Sequence, residues 1–272
     1  MKTFVLYGIA LFFLYSCGPA SNNSAETETA EEETSTAEMT AVVEETSDNT
    51  LTEQERQEGW TLLFDGQSIS NWRGAHKETF PEQGWKIEDG ELMVLASDGA
   101  ESQNGGDIVT ESEYSNFEFQ VDFKLTEGAN SGIKYFVTEG YNSGASAIGL
   151  EYQLLDDEKH PDAKKGNNGG GTRTLASLYD LKSADASKPF KGIGEWNTAR
   201  LVVQGNKVEH YLNGEKVLEY ERGSEEYTDL VKNSKYEKWE NFGMAESGHI
   251  LLQDHGDLVY FKNIKVRELP AS

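Results

Sequence analysis

The sequence predicts an all-β protein: a two-sheet antiparallel β-sandwich of the jelly-roll type, with long loops and at most one or two short helices. Three observations carry that expectation. The run Phe117-Glu118-Phe119-Gln120-Val121-Asp122-Phe123-Lys124-Leu125 alternates strictly, which is the signature of a half-buried strand. Gly205-Asn206 and Asn213-Gly214 punctuate three further apolar-periodic runs at hairpin spacing. Helix-like patterning is confined to residues 224–235.

The chain opens with a basic Met1-Lys2 and an apolar run over residues 4–14, too short to span a bilayer and shaped like an export signal. It ends in Leu14-Tyr15-Ser16-Cys17-Gly18, and Cys17 is the only cysteine, so no intrachain disulfide exists. The leucine, the small Ser16 and the cysteine resemble a bacterial lipobox. That resemblance implies a signal peptide over residues 1–16, acylation of Cys17, and a protein held in the cell envelope, periplasmic or surface-exposed, by its lipid anchor alone.

Residues 17–57 follow, rich in Glu, Thr, Ser and Ala, with eleven Asp/Glu and no Lys or Arg between Gly18 and Glu55. Such a segment buries too little apolar surface to offset chain entropy and reads as a disordered acidic tether. The whole chain carries a net charge of -24, a poor match for nucleic-acid phosphates or an anionic membrane surface.

Residues 58–272 hold all five tryptophans and form the expected domain. Strands are expected at 62–64, 85–88, 91–95, 117–125, 133–138, 149–155, 199–204, 207–212, 215–220 and 250–253, and again from Val259 onward. Gly128-Ala129-Asn130-Ser131-Gly132 reads as a turn-rich connection, and residues 156–173 as a long loop able to cover a site.

Side chains two apart on a strand share a face. Glu151 and Gln153 therefore lie together, as do Gln253 and His255 in Leu252-Gln253-Asp254-His255-Gly256. Each pair fits a solvated face or strand end, and equally a base beside a partner for sugar hydroxyls. Lys134 fits a snorkelling surface lysine or a cation that polarises a carbonyl oxygen. Asp156, Asp157 and His160 are oxygen and nitrogen donors without a recognised metal spacing. Other classes lack their signatures: there is no Gly-x-Ser-x-Gly elbow, no His-Glu-x-x-His, and no Gly-Lys-Ser/Thr after the Gly166–Gly171 run.

Several segments in order resemble one family: Gly59-Trp60-Thr61-Leu62-Leu63-Phe64-Asp65-Gly66, then Asn130-Ser131-Gly132-Ile133, Glu151-Tyr152-Gln153-Leu154-Leu155-Asp156 and His160-Pro161-Asp162-Ala163-Lys164. Leu175-Ala176-Ser177-Leu178-Tyr179-Asp180, Glu195-Trp196-Asn197, Leu212-Asn213-Gly214 and the terminal Gln253-Asp254-His255-Gly256 complete the set. The chain is similar to the 3-keto-disaccharide hydrolases across residues 59–269. The resemblance implies a concanavalin-like jelly roll and an enzyme that cleaves an oxidised sugar. The ketone at ring position 3 acidifies the position-2 hydrogen, a base removes it, the enolate expels the aglycone, and water adds.

On that reading Glu151 and His255 are base and acid in an unassigned order. Lys134 stabilises the enolate oxygen, alone or with a divalent cation; no cofactor is otherwise required. Gln153, Gln253 and Tyr179 orient hydroxyls, and Asp156, His160 and Trp196 are further substrate-binding candidates. Two alternatives stay open: a non-catalytic sugar-binding module using Trp85, Trp196 and Trp239, and an ordinary glycosidase pairing Glu151 with Asp156 or Asp180.

Overall fold

A computed structural model describes residues 47–140, 147–166 and 171–271. Its strands are β1 (Thr61–Leu62), β2 (Trp72–Gly74), β3 (Trp85–Glu88), β4 (Glu91–Val94), β5 (Ile108–Thr110), β6 (Phe117–Leu125) and β7 (Asn130–Thr138). They continue with β8 (Ile148–Leu155), β9 (Asn197–Gln204), β10 (Lys207–Leu212), β11 (Glu215–Glu221), β12 (His249–Leu252) and β13 (Val259–Glu268). The α-helices among the described residues are α1 (Glu53–Gln57) and α2 (Glu225–Lys232), with 3₁₀ turns at Pro161–Lys164 and Lys235–Lys238.

Two antiparallel sheets form the expected jelly-roll sandwich. The larger runs β11-β10-β9-β6-β13-β4-β3, with β1 added on β13, and the smaller runs β2-β5-β12-β7-β8. The alternation in β6 sends Phe117, Phe119, Val121, Phe123 and Leu125 into the core, where they meet Ile133, Leu150, Tyr152, Leu154, Ile250 and Leu252 of the smaller sheet. Burying each such side chain contributes about 1.5–3 kcal/mol before entropy is counted. Because side chains alternate, the other face of the smaller sheet is left to Gly132, Lys134, Glu151 and Gln153. That face is where a site can be built.

The β10–β11 turn has positive φ at both Asn213 (49°) and Gly214 (87°), as a tight Asn-Gly hairpin requires. In β7 the register shifts between Tyr135 and Thr138, and Phe136 sits at φ 51°. This bulge turns both Tyr135 and Phe136 toward the core. A Cβ at Gly248 would lie 2.5 Å from the Phe136 carbonyl carbon, so glycine is required beside it.

Two expectations are corrected. Residues 130–132 are not a turn but the first residues of β7, fully paired to β8. The acidic tether does not extend to residue 57: Asn49 is buried and bonded to Asn263 and Gly90, and Thr52 caps α1 in a reciprocal box with Glu55. Acidic composition masked that capping pattern, Thr52-Glu53-Gln54-Glu55. β2 and β5, at three residues each, are too short for periodicity to reveal.

Candidate active site

The β7–β8 ladder sets the site. Lys134 pairs in register with Glu151, and Gly132 with Gln153. A Cβ on Gly132 would lie 2.6 Å from Glu151 Oε1, so glycine opens the space the carboxylate occupies. Next door, the Gln253 backbone N–H donates to Gly132 O at 3.0 Å and Ser131 Oγ donates to Gln253 O at 2.8 Å, carrying the chain past the end of β12. Asp254 then folds the chain over. Its carboxylate accepts from the backbone N–H groups of Gly106 (3.0 Å) and Gly256 (3.1 Å), which leaves His255 on the same pocket as Gln253.

The polar end of this pocket is lined by Glu101, Asn130, Glu151, Gln153, Tyr179, Lys235, Gln253 and His255. Asn130 Oδ1, both Gln153 amide atoms, Gln253 Oε1 and His255 Nδ1 are buried there without a hydrogen-bond partner. Each such group costs about 1–3 kcal/mol if left unpaired. Their convergence on one hollow is what a site for a polyhydroxylated ligand demands.

Charge reinforces the geometry. Burial pushes the Glu151 carboxyl above the ordinary range, although Lys134, Lys235 and His255 pull the other way. For Lys134, burial works against the charge, but Asp107, Glu151 and Glu101 outweigh it and hold the ammonium above its ordinary value. Lys134 Nζ is 3.3 Å from Asp107 Oδ2 and donates to Ala147 O at 3.3 Å. Lys235 is exposed as a residue, yet its ammonium is crowded, 4.2 Å from the Tyr179 ring centroid and 5.2 Å from that of Tyr236. Desolvation lowers its pKa, with Glu151 the first counterweight.

The described part of the loop expected to cover the site is tied to its edge, at Tyr179, by a clamp. Tyr179 Oη donates to Asp162 Oδ2 at 2.8 Å, while Arg173 holds Asp162 (2.9 Å) and Asp180 (2.7 Å) together. Burial foremost raises the Tyr179 phenol, which stays protonated. His160 accepts from the Asp162 N–H at 3.2 Å, and its ring stands edge-on to His255 at 6.1 Å. Burial, then His255, lowers its pKa.

Glu151, Lys134, Gln153, Gln253, His255 and Tyr179 are thus brought together, with His160 against His255. Asp156 and Trp196 are not. The Asp156 carboxylate accepts from the N–H groups of Gly128 (2.8 Å), Glu158 (3.0 Å) and Lys159 (3.1 Å), fixing a turn beside a separate hollow. Trp196 lies on the larger sheet, its ring 4.6 Å from Lys124 Nζ and 4.5 Å from Lys262 Nζ. Of the other candidate platforms, Trp85 is buried against Phe261, whereas Trp239 does line the pocket wall. Asp180 is held by Arg173 and the Lys235 N–H. Sequence reasoning missed Lys235, Glu101 and Asn130. Lys235 reaches the site from the second 3₁₀ turn and Glu101 from a loop, and Asn130 was hidden by its turn-like neighbours. Cys17 lies outside the described residues.

Among the described residues no group of three or more His, Cys, Asp or Glu is arranged to hold a metal ion. The central carboxyl, Glu151, instead has two ammonium groups for neighbours, a donor set suited to developing negative charge rather than to a cation.

Residues 59–267 match the model of the 3-keto-alpha-glucoside-1,2-lyase-like domain. The chain is 38% identical over 235 residues to a 3-keto-disaccharide hydrolase of Bacteroides thetaiotaomicron, spanning 78% of this chain and 79% of that protein. A crystal structure from Parabacteroides distasonis, described as that of a candidate glycosyl hydrolase, superposes with a TM-score of 0.72 at 34% identity, covering 82% of this chain and 100% of the other. A second candidate glycosyl hydrolase from the same organism gives 0.57 at 28% identity, with 77% and 99% covered.

Proposed function

Because the chain belongs to the family of 3-keto-alpha-glucoside-1,2-lyase-like domains, we propose that it cleaves 3-keto-glycosides, 3-keto-disaccharides among them, by elimination and hydration. Membership makes it a glycoside-cleaving enzyme. The observation that carries the finer reading is the placement of the buried Glu151 carboxyl beside unpartnered polar groups in one hollow. His255 sits at the polar end with the keto-sugar, while Glu151 stands where that end opens into the rest of the pocket.

His255 accepts the position-2 proton. Negative charge moves onto the position-3 oxygen, where Lys235 meets it; this replaces Lys134 as the expected partner, because Lys235 lines the polar end and Lys134 does not. Lys134 acts on Glu151 instead. The enolate expels the leaving oxygen, which takes the Glu151 proton. Water then adds across the double bond: Glu151 takes a proton from it as oxygen bonds to position 1, and His255 returns a proton to position 2. Gln153, Gln253 and Asn130, with unpartnered polar atoms in the hollow, hold the sugar's hydroxyls.

The test is turnover of a 3-keto-disaccharide in D₂O, with the unoxidised sugar and an enzyme-free control alongside. One deuterium at position 2 of the released keto-sugar, and no cleavage of the unoxidised sugar, are expected. Cleavage without deuterium, and without a primary kinetic isotope effect from substrate deuterated at position 2, would overturn the elimination route. A second reading has its own observation: Glu101 and Glu151 line one pocket, the two-carboxyl requirement of ordinary glycosidases. Hydrolysis of the unoxidised sugar would select it.

The lipobox-like Leu14-Tyr15-Ser16-Cys17 supports export and anchoring at Cys17. Radiolabelled palmitate incorporation by the full chain, lost in Cys17→Ser, tests that reading.

A further inference from the structure

Asp107 stands just before β5, buried, and does not line the pocket. Its two carboxylate oxygens nevertheless reach two different parts of the site. Oδ1 accepts from the Asp254 backbone N–H at 3.0 Å and from Ser102 Oγ at 3.3 Å. Oδ2 accepts from the Lys134 ammonium at 3.3 Å. Asp254 returns the first bond: its own carboxylate accepts from the N–H of Gly106, the residue before Asp107, at 3.0 Å. The two aspartates close a reciprocal clasp between the segment entering β5 and the turn leaving β12.

The clasp is tight because backbone lies against backbone. A Cβ on Gly256 would fall 2.4 Å from Ala100 N, and Gly256 sits at φ 84°, so glycine is required there. Ser102 N–H donates to Asp254 O at 2.8 Å and Ser97 N–H to Gly256 O at 2.9 Å. The same segment carries Glu101 to the pocket. His255 is thus held between two fixed neighbours, Asp254 and Gly256.

Holding a turn does not require a charge, since an amide oxygen accepts an N–H as well. A buried carboxylate carries a desolvation penalty that a nearby cation offsets. Here the cation is Lys134, the register partner of Glu151. Among the described residues Lys134 forms its ion pair with Asp107 and not with Glu151.

We propose that Asp107 is a positioning residue for both proton-transferring groups. Through Asp254 it sets the His255 ring, and through Lys134 it keeps that ammonium from closing an ion pair with Glu151, so that the carboxyl serves as the acid. The inference rests on the roles proposed above for His255 and Glu151; Asp107 itself touches no substrate.

The test uses two substrates with one keto-sugar: a 3-keto-disaccharide, whose leaving oxygen needs a proton, and nitrophenyl 3-keto-glucoside, whose leaving phenolate does not. Both need the base. Asp107→Ala removes both tethers and should lower kcat about 100-fold on each substrate. Asp107→Asn keeps an acceptor for Asp254 but no counter-charge for Lys134, which then pairs with Glu151. It should bring the aryl substrate back to within about fivefold of wild type and leave the disaccharide about 100-fold down. Enzyme-free rates are subtracted, and circular dichroism checks the fold of each variant. A merely structural aspartate would move both substrates together, so equal recovery or equal loss in Asp107→Asn overturns the assignment. Asp107→Ala within a few-fold of wild type also overturns it. Should Asp107→Ala fail to fold, the substrate split in Asp107→Asn decides alone. If the wild type cleaves both substrates and no split is found, only the role of Asp107 falls. If the wild type cleaves neither, the proposed function falls and takes this role with it.

Discussion

Glu151 and Lys134 are register partners across the β7–β8 ladder, both buried, and the Lys134 ammonium also reaches Asp107 at 3.3 Å. A carboxyl and an ammonium withdrawn from water side by side are a costly arrangement for stability alone, since burial opposes both charges. Here burial raises the Glu151 pKa although Lys134 opposes it, the direction an acid for a leaving oxygen needs.

Glu151→Gln should lower kcat by at least about 100-fold while the domain stays folded. Its effect on stability has a definite sign. The folded pKa is raised, so the carboxyl carries no penalty below its unfolded pKa and an increasing one as pH rises through the folded pKa. The melting temperature of the variant should match wild type near pH 4 and exceed it at pH 8. Thermal melts at both pH values check this.

Gly132→Ala tests the cradle. Gly132 has ordinary backbone dihedrals, so alanine is tolerated there conformationally, but its methyl would collide with Glu151 Oε1. The displaced carboxyl should cost about 100-fold in kcat, by the sensitivity of catalysis to displacements of about 1 Å. Circular dichroism should show an unchanged fold. Activity within a few-fold of wild type would mean the carboxyl's position is not critical.

His210 predicts an acid-stability limb unrelated to catalysis. It is fully buried and bonded to Tyr135 Oη (2.8 Å) and Ala176 O (2.9 Å), and burial lowers its pKa to about 4. A depressed histidine contributes stability present above its unfolded value and lost as pH falls. The window runs from the ordinary 6.5 down to about 4, a span corresponding to roughly 3 kcal/mol. His210→Gln should flatten the loss of stability between those pH values, as read from denaturant midpoints.

Lys235 and Trp196 should behave oppositely. Lys235→Met removes the cation at the polar end and should lower kcat about 100-fold, with Lys235→Arg recovering part of it. Trp196→Ala, on the other sheet beneath Lys124 and Lys262, should leave kcat and KM within about twofold, as surface changes remote from a site generally do. Steady-state kinetics on one 3-keto substrate separate them.

Much of the site was legible because strand alternation is a local rule. It alone placed Glu151 with Gln153 and sent Phe119 and Phe123 to the opposite sort of face. It stopped being informative at Gly128-Ala129-Asn130-Ser131-Gly132. There turn-forming residues serve a strand that must pass close to a carboxylate, and the same residue types suit both purposes. Asp156 was misplaced for a related reason. A strand-end aspartate looks identical whether it points into a pocket or accepts backbone N–H groups from its own turn.

The sequence by itself determined the sandwich, its hairpins, the faces of β6 and β8 and the family, since each depends on residues near one another in the chain or on motifs in order. Tertiary structure decided which sheet each polar face belongs to. It set Trp196 on one sheet and Glu151 on the other, and brought Glu101 from a loop and Lys235 from a 3₁₀ turn to the same carboxyl. These relations follow from strand order, bulges and loop anchoring, which arise from packing between segments far apart in sequence and leave no periodic trace within any one of them.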